Sequence, residues 1–237
     1  MNEITIYLIL FCSAFISGLA VILFKLNFSK NLKLLISFSG AFLLAICVLH
    51  LMPEIFKEYN EKIGVFILLG FLIQVLLEFF SEGIEHGHFH THKKELAIFP
   101  YAIFISLCLH SFIEGMALVD SSHNHMGYGN SLLTGIIVHK IPIAIVLSTM
   151  ILAKNISKLT FITTLILFSI SAPLGLYLAS NHILPFVENS EIILALAVGI
   201  FLHISTTILF ESSEGHKFDL KKFSIVMIGF ALAFFTL

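Results

Sequence analysis

The sequence has no tryptophan and no arginine, only three cysteines, and few charges: 12% of its 237 residues, against 58% that are apolar. Each absence excludes something. Cys12, Cys47 and Cys108 each stand alone in an apolar run, so neither a disulfide framework nor a CxxC metal site is available. A net charge of −2 with no basic patch offers nothing to nucleic acid. What the chain has instead is phenylalanine, 25 residues of it, and apolar runs separated by short polar stretches. Runs of about 20 residues match the hydrocarbon thickness of a bilayer. The composition therefore predicts an all-α, polytopic membrane protein, folded as a single domain over residues 1–237.

Eight spans are expected. The first covers 4–24, with Gly18 among small residues suited to close helix contact. It starts so near Met1, with no small-residue cleavage site behind it, that it reads as retained and not as a signal peptide. The second covers 34–55, the third 63–80 and the fourth about 96–119. The fifth covers 132–152, the sixth 159–179 and the seventh 191–210, and after the charged stretch 211–222 an eighth reaches the end of the sequence. Lysine placement orients them. Lys25, Lys30, Lys33, Lys93, Lys94, Lys154, Lys158, Lys217, Lys221 and Lys222 follow the odd-numbered spans, while only Lys57 and Lys62 lie in the opposite loops. By the positive-inside rule the first set is cytoplasmic, and both termini are extracytoplasmic. The short loops and lysine-only basic content suggest a compact bacterial protein, hence a multi-pass protein of the plasma (cytoplasmic) membrane.

Ionisable residues inside such runs need a reason to be there, since a charge at the bilayer centre costs at least ~2.5–3.5 kcal/mol. The fourth span carries His110-Ser111-Phe112-Ile113-Glu114-Gly115 and the fifth His139-Lys140-Ile141-Pro142. On a helix His110 and Glu114, four apart, share a face. Pro142 has no N–H for the carbonyl of Val138, which leaves a polar notch beside His139. Such residues can merely glue two helices by hydrogen bonds. Two imidazoles and a carboxylate on consecutive spans favour a ligand set for zinc, iron(II) or manganese(II) over calcium, with water completing the shell.

Weaker constellations accompany this one. His50 and Glu54, again four apart and flanking Pro53, suit a gate or access point for the ion, or simply a helix end at the interface. His86, His88, His90 and His92 alternate along a polar segment at about 81–95, a His-rich tract that would bind metal weakly on the cytoplasmic side or form a solvated, pH-sensitive loop. His123 and His125 suggest metal capture outside. His203 and Glu211 read as packing or interface residues, and Gln74 and Glu78 as inward-facing polar residues without an assigned role.

His-Ser-x-x-Glu-Gly and His-Lys-x-Pro resemble the signatures of the ZIP (Zrt-/Irt-like) metal transporter family. The likeness extends to His50-Leu51-Met52-Pro53-Glu54, the histidine-rich segment, and Ala172-Pro173-Leu174-Gly175 in the sixth span. The resemblance implies the eight-helix ZIP fold with external termini and transport of zinc, or of iron, manganese or cadmium, into the cytoplasm. It also implies a core site between spans four and five, and dimers in many members. Many bacterial members have a two-metal pattern, with Asn after the span-four His, an acidic residue after the span-five His and Glu four positions beyond that His. Here those positions hold Ser111, Lys140 and Ile143. Ser111 and Lys140 are thus second-site positions, and the ammonium of Lys140 would repel a second cation, which leaves one metal at the core. Lys140 can equally be structural, paired with Glu114.

The function expected is therefore import of a divalent transition metal, zinc foremost, as transported ion and not as cofactor. The partners expected are that ion, the lipid bilayer and a second copy of the chain. An intramembrane zinc-dependent hydrolase, with Glu114 activating a metal-bound water, is the alternative from another class, although no HExxH motif occurs. A metal-responsive receptor or a structural membrane subunit is a third reading.

Overall fold

The computed structural model describes residues 2–24, 31–57, 62–83, 99–119, 128–154, 156–183, 190–211 and 220–236. They form eight helical rods and, among the described residues, no strand. These are α1 (Glu3–Phe24), α2 (Leu32–Ile55), α3 (Lys62–Ser81), α4 (Tyr101–Met116), α5 (Tyr128–Ala153), α6 (Lys158–Ser180), α7 (Ser190–Glu211) and α8 (Leu220–Phe234). Six of them are long and apolar enough to cross a membrane, and α4 is apolar but shorter.

Local chemistry sets several boundaries. Ser157 caps α6, its Oγ accepting the backbone N–H of Thr160 at 3.1 Å, as an N-cap serine should. α4 starts at Tyr101 instead of near 96 because Pro100 stands just before it, and a residue ahead of proline is steered away from the helical region. Residues 96–98 lie outside the described residues. α2 is not a uniform α-helix. Cys47–Leu51 forms a π-helical turn, closed by the Met52 N–H on the Cys47 carbonyl, before Met52–Ile55 resumes α geometry. The ring of Pro53 would press on the carbonyl of Leu49 in a regular α-helix, and widening the preceding turn relieves that pressure. α5 and α6 continue through Pro142 and Pro173.

The packing is the inverse of a water-soluble protein. Large apolar side chains face outward, for example Val65, Leu68, Leu72 and Phe79 along α3, while Gln74 on the same helix is fully buried. Several hydroxyls inside the bundle bond back to their own helix, as Ser169 does to the Leu165 carbonyl at 2.7 Å and Ser205 to that of Phe201 at 2.6 Å. No polar group in hydrocarbon can turn to water, so such internal bonds are the available solution.

Two helix pairs approach to backbone contact. A Cβ on Gly115 of α4 would overlap the Ala172 carbonyl of α6, and one on Gly175 of α6 would overlap the Phe112 carbonyl of α4. α3 and α7 repeat the device, with Gly70 against Leu196 and Gly199 against Ile67. Close approach of this kind is what small residues give membrane helices. Beyond these pairs, α1 packs on α5 and α6, and α2 packs on α7 and α8. The bundle thus divides into α1, α4, α5, α6 and α2, α3, α7, α8, which meet along α2–α5 and α3–α4.

Candidate metal centre

His110 and Glu114 are one helical turn apart on α4, and α4 meets α5 at His139 and Lys140. His110, Ser111, Glu114, His139 and Lys140 are all at most 2% exposed. Neighbouring residues of a helix point about 100° apart. His139 and Lys140 can nevertheless both be buried, because α5 is packed by α1, α2, α4 and α6. The spacing on α4 and the enclosure of α5 build the cluster together.

His110, Glu114 and His139 each present one ligand atom within 4.8 Å of the others, a geometry able to hold a metal ion. His110 Nε2 lies 3.2 Å from Glu114 Oε1. The His110 and His139 rings stand edge to face, with centroids 5.8 Å apart at 87°. Glu114 divides its two oxygens. Oε1 faces His110, whereas Oε2 accepts a hydrogen bond from Lys140 Nζ at 3.1 Å. The same ammonium donates to Ser111 Oγ at 2.6 Å and lies 5.4 Å from the ring centre of Phe168. Ser111 and Lys140 therefore bond to each other, and Lys140 takes the Glu114 oxygen that does not face His110.

Two contacts join this group to α3. His110 Nδ1 lies 3.2 Å from Gln74 Oε1, and Ser106 Oγ donates to the Leu77 carbonyl at 2.6 Å. One turn beyond Gln74, Glu78 Oε2 pairs with His203 Nδ1 of α7 at 3.3 Å, and Phe71 stacks edge-on to His203 at 4.7 Å. His203 is thus engaged away from the cluster, in a helix-packing contact. Gln74 is the contributor that sequence reasoning left without a role. An amide amid the apolar run 63–80 was a visible signal, but its partner lies 36 residues away and periodicity could not name it.

The remaining candidates are not gathered here. His50 lies on the π turn of α2, half-buried, and contacts the backbone of Ala233. Glu54 is half-buried too and is ion-paired to Lys57, three residues on, and not to His50. The extra residue per turn of π geometry disturbs the alignment that a four-residue spacing has on an α-helix. His86, His88, His90, His92, His123 and His125 lie outside the described residues, as does the side chain of Glu211.

Comparison with known proteins follows the same lines. A family profile described as "ZIP Zinc transporter" matches residues 85–236, a stretch that contains α4 to α8 and hence His110, Glu114, His139 and Lys140. A curated relative, "Protein zntD" of Dictyostelium discoideum, is 26% identical over 167 residues, covering 63% of this chain and 24% of the relative. The match thus spans about a quarter of the relative's length.

Proposed function

This chain belongs to the ZIP zinc transporter family, whose members move divalent metal ions, and we propose that it imports zinc into the cytoplasm through a site held by His110, Glu114 and His139. The observation that carries the reading is the convergence of two imidazoles and a carboxylate from two helices, buried and within 4.8 Å of one another. Nitrogen and carboxylate donors of this kind suit zinc and, less selectively, iron(II), manganese(II) or cadmium. Three protein ligands leave a coordination position for water, so the ion can exchange and is not caged.

In the proposed cycle the ion comes from outside past His50 and Glu54 and sheds part of its hydration. It then binds Glu114 through Oε1, the oxygen that faces His110. Lys140, on the other oxygen, occupies the neighbourhood where a second ion would sit, and its charge opposes one; the core then carries a single metal. A shift of the group α1, α4, α5, α6 against the group α2, α3, α7, α8 exposes the site inward, as alternating access requires. His86, His88, His90 and His92 would meet the released ion. The plasma membrane is the proposed location, and a homodimer the proposed assembly.

The test is transport by purified protein in liposomes loaded with a fluorescent zinc indicator, with iron, manganese and cadmium as competitors. Saturable zinc uptake is expected in the wild type, and uptake at the level of protein-free liposomes in His110→Ala. Uptake by His110→Ala at the wild-type rate would overturn the site. A wild type that moves no divalent ion would leave the hydrolase reading to be tried.

A further inference from the structure

We infer that Gln74 is a positioning residue of the metal site: its amide oxygen holds His110 in the tautomer that turns Nε2 towards Glu114 and His139, and it does so from the opposite helix group. The inference rests on the metal-site reading above and deepens it. It starts from an oddity of burial. Gln74 is fully enclosed on a helix whose other side chains are mostly large and apolar, and its Oε1 lies 3.2 Å from His110 Nδ1. A neutral imidazole has one N–H and one lone pair. With the proton on Nδ1 and donated to Gln74, the lone pair is on Nε2, the nitrogen that lies 3.2 Å from Glu114 Oε1. Only that tautomer can give Nε2 to a metal shared with Glu114 and His139. A metal-binding histidine ordinarily needs such an acceptor on its second nitrogen, because the acceptor fixes the ring and raises its basicity.

The location of Gln74 gives the contact a further consequence. α4 is locked to α6 by the Gly115 and Gly175 contacts, whereas α3 is locked to α7 by Gly70 and Gly199. The Gln74–His110 bond therefore crosses the seam between the two groups, alongside the bond from Ser106 to Leu77. A sliding motion along that seam separates Gln74 from His110. The site then binds the ion more tightly in the arrangement where Gln74 reaches the imidazole than in the one where it does not. Affinity that falls with the motion favours release.

The experiment compares Gln74→Met, which keeps the bulk and loses the acceptor, with Gln74→Glu, which keeps an acceptor in place. Zinc binding is measured by calorimetry on the purified full chain, and ligand geometry by the visible spectrum of bound cobalt(II). Gln74→Met is expected to weaken zinc binding by roughly 10- to 100-fold, the range for loss of such an outer partner, and to alter the cobalt spectrum. In liposomes its zinc KM rises while the maximal rate is largely kept. Gln74→Glu is expected to return affinity and spectrum towards wild type, which a merely structural role would not predict. Wild-type affinity and spectrum in Gln74→Met, or no rescue by Gln74→Glu, overturns the assignment. His110→Ala, run alongside, separates the failures. If it too binds zinc normally, the metal site itself is wrong, and if it alone loses zinc, only the role of Gln74 falls.

Discussion

At the scale of single residues, the decisive feature is that a lysine shares the carboxylate of the proposed ligand set. Lys140 and Glu114 are both enclosed and 3.1 Å apart. Removing one partner of a buried ion pair commonly costs about 3–5 kcal/mol, because the other charge is left without compensation. A divalent ion on Oε1 adds positive charge beside Glu114 while Lys140 holds Oε2, so each cation lessens what the other gains from the carboxylate. Lys140→Met is thus expected to lower the thermal midpoint of the metal-free protein and to enlarge the rise in that midpoint on adding zinc. Thermal unfolding in detergent, with and without zinc, measures both, and an equal zinc-dependent rise in wild type and variant would separate Lys140 from the metal. The sequence displayed His110, Glu114, His139 and Lys140 plainly, because each is an ionisable residue in an apolar run. It left open whether Lys140 pairs with Glu114, because adjacency across two helices depends on their rotation. Gln74 was harder still, since an uncharged amide in a span carries little signal until its partner is known.

At the scale of helices, the spans were legible almost to their ends. Length and hydropathy set them, and α1, α3, α5, α6 and α7 begin and end within four residues of the expected limits. The π turn in α2 and the shortened start of α4 were not expected, although Pro53 and Pro100 stood in the sequence, because proline signals an interruption without specifying its form. The glycines were similarly ambiguous. Gly115 and Gly175 hold α4 and α6 at backbone contact, and a methyl group at either would overlap a carbonyl that cannot move aside without its helix. By contrast, among the described residues nothing lies within 4 Å of a Cβ on Gly64. Gly115→Ala and Gly175→Ala should therefore destabilise by about 1–3 kcal/mol, the usual penalty of overpacking. Gly64→Ala should be neutral or mildly stabilising through helix propensity. Melting curves of the three variants test this. Equal midpoints would show that α4 and α6 are not clamped as described, and would loosen the frame that holds His110 and Glu114 above α5.

At the scale of the whole molecule, the proposed import requires two helix groups with a seam between them and a fixed orientation in the membrane. The seam is a property of the packing, with α4 and α5, which carry the proposed ligands, in one group and α2 and α3 facing them from the other. It could not be read from the sequence, because no periodicity within a span tells which spans pack tightly. Orientation is the reverse case, carried by the sequence and independent of the packing. Ten lysines flank one set of ends and two the other, so Lys154, just past α5, should face the cytoplasm and Lys62, at the start of α3, the outside. Single cysteines at these positions, in a chain with Cys12, Cys47 and Cys108 replaced by alanine, report the side directly. A membrane-impermeant maleimide applied to intact cells should label Lys62→Cys at once and Lys154→Cys only after the membrane is opened. The opposite pattern would place His50 and Glu54 on the cytoplasmic side. The same cluster of His110, Glu114 and His139 would then be approached from within, and a transporter so inserted would have to be argued as an exporter.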